Sequence, residues 1–536
     1  MADVPLPEDV YVFLDAQDVA SRAVPNADLS AFAASGVLVE LEATGLGLHV
    51  YVSCAGQGLS RLVLRWRAPL PDEALVLGDA WERSYGELQW RHRQPERVLP
   101  WYWLAYDAAT GETRGMGVRV RPAAFCSWAV DEDGTTLCLD LRNGGLPVHL
   151  GHRRLLAAVV VAVGPDRGTS PFDALGALCQ AMCDDPRFPA APVVGANNWY
   201  YAYGEGFGPA EVLRDADAIS ELADGHRVAP FCVVDAGWSA GGNAPGGPWT
   251  AGLPGVFDDM SGLAADISAR GARPGIWFRP AALSFVDDTR LLRAGPQEGG
   301  EKALDLSRPE TLDTIAADVR RLVGWGYQLI KHDFSTYDHF GKWGFQMTRD
   351  LTDPGWGLAD RGVTNAEVLL GLYRTIREAA GETLVIGCNT VGHLAAGLTD
   401  IQRTGDDSSG RYWERTRKMS VNTLAFRLAQ HGRFFCLDAD CVPCTPATPW
   451  EHNRQMLDLV ARSGTALFVS VDPRARDKAV DADLRAALRT ALDGGEPTGV
   501  QPLDWLHTTS PRKWRAGTGP RLYEWLGPYG ADVRTD

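Results

Sequence analysis

Residues 327–335 read Tyr-Gln-Leu-Ile-Lys-His-Asp-Phe-Ser, and the interpretation of the whole chain turns on them. An apolar run ends in a cation and a carboxylate, Lys331 and Asp333, where a buried strand should reach the surface. Along a strand, residues i and i+2 share a face, so these two side chains are expected to point the same way. In a parallel barrel that direction is the mouth at the C-terminal strand ends, where such folds place their chemistry. A cation at Lys331 favours the ionised form of Asp333, and a positioned, ionised aspartate can act as a nucleophile. A plain strand-end ion pair accounts for the segment equally well, so the flanking sequence has to decide.

On both sides of this segment, apolar runs alternate with amphipathic stretches, the pattern of a parallel α/β fold. The strand candidates are 193–199, 230–235, 274–278, 329–333, 384–388, 398–403, 434–438 and 466–470. Helical periodicity marks 210–222, 312–324, 365–380, 415–430 and 454–463. Eight strands in this span predict a (β/α)8 TIM barrel over 192–493, with a doubly wound open sheet as the alternative. Residues 1–168 differ: short β runs at 37–41, 62–66, 101–106, 117–120, 137–141 and 155–163 lie between turn signals such as Asn143-Gly144-Gly145. They predict an antiparallel β-sandwich. A helical linker (169–191) with Pro186 and Pro189 joins the two, and 494–536 reads as a short β region packed on the barrel.

At 536 residues with a net charge of −16, the chain can bury large cores and lacks the basic excess of a nucleic-acid binder. No apolar run is long enough to span a membrane, and the first residues have no signal-peptide pattern, so a cytoplasmic location is expected. The ten cysteines have no disulfide framework spacing. Cys436, Cys441 and Cys444 are close enough in sequence to hold zinc or cycle redox, but a second matching pair is missing nearby; no metal and no cofactor is expected.

Polar residues gather at the predicted strand ends: Asp235, Trp277 with Arg279, Lys331 with Asp333, Cys388, Arg403 with Asp406 and Asp407, and Asp438 with Asp440. Structural need does not place carboxylates at so many strand ends. Carboxylates and cations among tryptophans suit a sugar, whose apolar ring face stacks on aromatics while charged groups hold its hydroxyls. His332 should face the surrounding helices, while His339 and His393 are candidates for the mouth.

Taken in order, these segments resemble the α-galactosidase clan of retaining glycosidases, and glycoside hydrolase family 36 most closely. Gly195 to Trp199, Asp235 to Trp238, Pro274 to Trp277, Gly326 to Phe334, Gly397 to Asp407 and Leu437 to Cys441 each resemble a clan motif. The resemblance implies Asp333 as nucleophile and Asp407 as general acid/base, with Asp406 the rival for the second role. It implies substrate contacts from Asp235, Trp277, Lys331, Cys388 and Arg403, to which Trp199 and Arg279 are added as candidates. Asp438 and Asp440 are read as structural. Trp81, with Arg83 beside it, is the candidate contributed by the N-terminal domain, either of the same chain or of a neighbour in a possible homo-oligomer. A transglycosylase with the same catalytic pair and a barrel that binds carbohydrate without cleaving it are the alternatives. The departures concern the sugar: Ala236 stands where the family has a second aspartate, Ala196 where the clan has tryptophan, and Arg279-Pro280-Ala281 where the family carries glutamates.

Overall fold

The computed structural model describes residues 2–14, 19–242, 246–283, 288–295, 302–528, 530 and 531. The candidate site residues all lie within it, whereas the end of the predicted C-terminal region, 532–536, lies outside the described residues.

A nine-segment parallel sheet runs through the middle of the chain. Its first six strands are Val194–Asn197, Phe231–Val234, Arg273–Phe278, Leu329–His332, Leu384–Gly387 and Ile401–Arg403, each paired in parallel with the next. The seventh is interrupted, as Cys436–Asp438 and Val442–Cys444, and Leu467–Val471 pairs back onto the first. A bridge between Asp438 and Ala466, with Ala466 N donating to Leu437 O at 3.0 Å, links the two ends of the sheet. This pairing fits a closed barrel better than an open doubly wound sheet, whose edge strands would stay unpaired. Strand six begins at Ile401, later than expected, because Gly392–Ala395 forms a helical turn ahead of it.

Helices cover the outside because their sequences are amphipathic and well started. Pro309–Gly324 opens with proline at its first turn. Asn365–Ala380 begins with a capping box in which Thr364 and Glu367 exchange side-chain and backbone hydrogen bonds at 3.1 and 3.0 Å. The single helix expected over 415–430 is instead broken into α, π and 3-10 turns between Trp413 and Gln430. Among the described residues no helix is long and apolar enough to cross a membrane.

The N-terminal part forms a six-stranded and a nine-stranded antiparallel sheet, an arrangement that fits a sandwich. Sequence inspection missed two of its longer strands, Gly47–Cys54 and Phe125–Asp131. In the first, every second residue is buried, the alternation of a one-sided sheet. Pro171–Met182 is the linker helix, capped by Ser170. Near the C-terminus, Val500–Pro502, Lys513–Ala516 and Gly519–Leu522 make a three-stranded sheet.

Among the ties between the N-terminal sheets and the parallel-sheet region, one loop reaches the sixth strand's end. Ser84 N donates to Thr404 O at 2.9 Å and Asp406 N to Ser84 O at 2.8 Å, so the loop extends the sixth strand's line as a short parallel bridge. Buried Arg427 holds the loop from below, through Asp79 Oδ1 (2.6 Å), Glu82 O (2.6 Å), Ala80 O (3.1 Å) and Thr404 O (2.7 Å). Arg427→Met leaves the Asp79 carboxylate buried without its guanidinium. It is expected to destabilise the protein by about 3–5 kcal/mol, read as a lowered denaturation midpoint; an unchanged midpoint would refute this account of the loop.

Candidate active site

The period-two geometry of strands builds the site. Inside the parallel sheet lie Val193, Phe231, Val233, Leu329, Ile386, Ile401, Cys436 and Phe468, and on five strands the same inward column becomes polar two residues further along. Val233 leads to Asp235, Leu329 to Lys331, Ile386 to Cys388, Ile401 to Arg403 and Cys436 to Asp438. The odd member, His332, faces out, with its ring stacked on Tyr373 at 5.7 Å. Apolar residues thus plug the floor, and charged ones line a cavity of about 590 Å³ above it.

Asp333 sits in this cavity and is 8% exposed. Its Oδ1 accepts from the backbone N–H groups of Phe334 (2.7 Å) and Asn389 (3.0 Å), and Oδ2 accepts from Trp277 Nε1 (3.1 Å). Burial raises its carboxyl pKa, but Arg83 and then Lys331 outweigh that effect, and the carboxyl lies below its ordinary value. Phe334 begins the helix Ser335–Phe340 with a left-handed backbone, φ 63°. That costs about 1–3 kcal/mol for a non-glycine residue and turns the chain sharply just where Asp333 is presented.

Lys331 Nζ lies 2.7 Å from Asp235 Oδ2, and Asn197 Nδ2 donates to the same oxygen at 2.6 Å. Burial lowers the ammonium pKa, but Asp235 more than compensates, so Lys331 stays charged. Asn198 Oδ1 accepts from the Asp235 backbone N–H at 2.9 Å. Ala236 lies beside this group on the cavity wall.

Across the cavity, Asp407 Oδ1 lies 2.7 Å from Arg403 Nη2 and 3.5 Å from Arg83 Nη1. Burial opposes its charge, but Arg403, Arg83 and Lys331 hold the carboxyl well below the usual carboxylate range. Arg403 is buried and also reaches Asp440 Oδ2 at 2.8 Å. Asp440 in turn accepts from Tyr200 OH and from Ser408 N (2.6 Å). Burial raises the Asp440 carboxyl and pushes Asp438 up to about 6. Asp406 is held separately, by Arg415 Nη2 at 2.6 Å and Arg83 Nη2 at 3.2 Å.

Of the sequence candidates, Asp333, Asp407, Asp235, Trp277, Lys331, Trp199 and Arg279 meet at the cavity. Arg403 and Cys388 lie beneath it, with Cys388 Sγ accepting from Arg403 Nη1 at 3.7 Å; burial keeps that thiol protonated. Arg279 forms a buried ion pair with Asp338 at 2.5 Å and lies over the Phe334 ring.

Trp81 is corrected: it is buried outside the cavity, edge-on to Trp101 at 5.5 Å, with Nε1 donating to Thr348 O at 3.2 Å. It cements the loop whose next cation, Arg83, does line the cavity, and that loop belongs to the same chain. His393 stacks on Trp101 at 4.7 Å and His339 meets Asn365 at 3.0 Å, so both are packed away from the mouth. Sequence inspection passed over Asn197 and Asn198, although counting in twos from Val193 leads to Asn197. It also passed over Tyr85, Trp343 and Phe345, which carry no strand-end signal.

No family model matches the sequence, and no curated protein matches it. Solved structures do. An α-galactosidase from Thermus thermophilus, bound to p-nitrophenyl α-D-galactopyranoside, superposes with a TM-score of 0.60 at 19% identity, over 91% of this chain and 97% of that one. The chain shares the fold of family 36 α-galactosidases. A family 36 α-galactosidase from Geobacillus stearothermophilus matches with a TM-score of 0.57 at 14% identity, over 88% of this chain and 68% of that one. An α-galactosidase from Lactobacillus brevis gives a TM-score of 0.54 at 14% identity, over 90% of this chain and 70% of that one.

Proposed function

We propose that this protein is a retaining α-glycosidase acting on a terminal α-galactoside or a related sugar, built on a (β/α)8 barrel (192–493) behind an N-terminal β-sandwich. The observation that carries the reading is that two carboxylates from different strands, Asp333 and Asp407, line one cavity in unlike settings. Asp333 is buried and locked at Oδ1 by two backbone N–H groups, which leaves Oδ2 as the attacking atom. The Asp407 side chain is 35% exposed, able to exchange protons with water.

In the first step Asp333 Oδ2 bonds to the anomeric carbon as the glycosidic C–O bond breaks, and Asp407 gives its proton to the leaving oxygen. In the second, water attacks that carbon, its proton passes to Asp407, and the ester to Asp333 breaks. Two inversions give retention. Arg403 and Arg83 both contact Asp407 Oδ1, so Oδ2 is the oxygen that meets the substrate. Asp407 rests as the anion, ready as the base; substrate entering beside Arg83 weakens that hold and lets it carry a proton as the acid.

Asp235 and Lys331, fixed by Asn197 and Asn198, form the wall that holds sugar hydroxyls. Ala236 removes a carboxylate from that wall, and losing one hydroxyl partner changes selectivity strongly. A pentopyranoside, an amino or acidic sugar, or a modified galactoside are the substrates to compare with α-galactosides. A panel of aryl α-glycosides, with the configuration of the first-formed product followed by NMR, tests the proposal. Turnover with release of the α-anomer is expected; release of the β-anomer would overturn the retaining mechanism, and no turnover on any glycone would overturn the assignment.

The site's charges predict its pH dependence. With a 2,4-dinitrophenyl glycoside, whose leaving group needs no proton, the acid limb of kcat/KM reports ionisation of Asp333 alone. Because Arg83 and Lys331 hold that carboxyl below its ordinary value against the effect of burial, the acid limb should lie below the usual carboxylate range. Arg83→Met removes the cation that lowers it most, so the limb should move to higher pH. A limb that stays in place would show that Arg83 does not tune the nucleophile.

A further inference from the structure

The cavity has an aromatic corner that the catalytic steps above do not use. It is formed by Tyr85 from the N-terminal loop and by Trp343 and Phe345, which follow the fourth strand. Phe345 is 61% exposed and meets the Tyr85 ring edge-on at 4.9 Å. Trp343 is stacked on Tyr337 at 4.3 Å and braced by Phe334 at 5.6 Å. Phe345 leaves much of its ring in water at the lip of a polar cavity, so an apolar ligand covering it would remove that surface from water.

The corner is built, and Glu82 builds it. The Glu82 carboxylate is buried and accepts from Tyr85 OH, from Gly344 N at 2.9 Å and from Asn389 Nδ2. One side chain thereby fixes the Tyr85 ring, the Trp343–Phe345 turn and the loop after the fifth strand. Gly344 permits the close approach, since a Cβ there would meet Glu82 Cγ at 2.7 Å.

Arg83 says which side of the substrate this corner faces. Its guanidinium lies 5.8 Å from the Tyr85 ring centroid and 5.5 Å from that of Trp343, and it contacts both Asp406 and Asp407. The corner therefore adjoins Arg83, whose guanidinium contacts Asp407, the group that gives the leaving oxygen its proton. Its chemistry is that of ring faces. Tyr85 commits its hydroxyl to Glu82, Phe345 has no polar atom, and Arg83 is held by carboxylates. Phe345, the exposed member of the three, offers a sugar hydroxyl no partner, whereas a flat apolar group gains contact with all three rings.

We infer that Tyr85, Trp343 and Phe345 form a leaving-group subsite for an aromatic or other flat apolar aglycone, so that the natural substrate is a glycoside of such a group and not an oligosaccharide. The inference rests on the glycosidase reading, and its test separates the two. Benzyl and methyl α-glycosides of the glycone chosen by the aryl panel differ by one ring, while their alcohols leave with nearly equal ease. In the parent enzyme kcat/KM for the benzyl glycoside should exceed that for the methyl glycoside by at least about fivefold, from burial of the ring. Phe345→Ser should reduce the ratio at least about threefold, and Phe345→Trp should restore it. Phe345 is exposed, so neither change threatens the fold.

A ratio below about twofold in the parent, or one that Phe345→Ser leaves unchanged, overturns the inference and leaves the glycosidase reading standing. A disaccharide of the same glycone cleaved more than about tenfold faster than the benzyl glycoside assigns the corner to a sugar and overturns it as well. If the parent hydrolyses neither these nor the corresponding α-glycosyl fluoride, the glycosidase reading itself falls.

Discussion

Asp333→Ala is expected to lower kcat/KM by at least about 10³-fold on every glycoside, whatever its leaving group, because the proposed covalent intermediate forms on Asp333. Added azide should restore turnover of a 2,4-dinitrophenyl α-glycoside by entering the space left by the carboxylate. Azide then attacks the face that Asp333 would have attacked, and the product is the β-glycosyl azide. The geometry makes the outcome specific: Oδ1 holds backbone N–H groups of Phe334 and Asn389, and Trp277 meets Oδ2, so the pocket that receives azide is preformed. An α-glycosyl azide from this variant, or activity equal to the parent's, would remove Asp333 from the nucleophile's role.

Asp407→Ala should separate substrates by leaving group. Removing a general acid typically costs about 10²–10⁴-fold. That loss is expected in full for methyl and benzyl glycosides, whose alkoxides need the proton, and far less for a dinitrophenyl glycoside. Azide should now intercept the glycosyl ester on Asp333 from the opposite face and give the α-glycosyl azide. The pair of azide products, β from one variant and α from the other, is a stereochemical signature that a loss of folding cannot imitate. Asp406→Ala provides the comparison. Asp406 is held by Arg415 and Arg83 and should show no azide rescue; rescue of Asp406→Ala in place of Asp407→Ala would exchange the two residues' roles.

The cations around Asp407 connect these expectations. Arg403 is shared between Asp407 and Asp440, and its guanidinium is buried between them. Asp440, read from sequence as structural, thereby becomes the group that balances Arg403 and helps set how strongly Asp407 is held.

What the chain's order alone determined was the strand rhythm and the direction of side chains along it. Leu329, Lys331 and Asp333 had to share a face, and His332 had to leave it, because pleated backbone alternates strictly. Strand-end position and the resemblance to family 36 pointed to Asp235, Trp277, Cys388 and Arg403, and the alternation rule would have led to Asn197 had it been applied from Val193. That alternation is local geometry, written in two-residue steps.

What only the tertiary structure decided was which residues meet across distance. Trp81 and Arg83 sit two positions apart in a loop without regular structure, so no periodicity distinguishes the packed residue from the one that reaches Asp407. Three-dimensional packing does, because Arg427 and the bridge from Ser84 to Gly405 fix the loop's direction. The corner of Tyr85, Trp343 and Phe345 is assembled by one buried carboxylate, Glu82, from segments more than two hundred residues apart. Chain order carries strand faces; contacts between distant loops arise only when hydrogen bonds and packing select one approach among many.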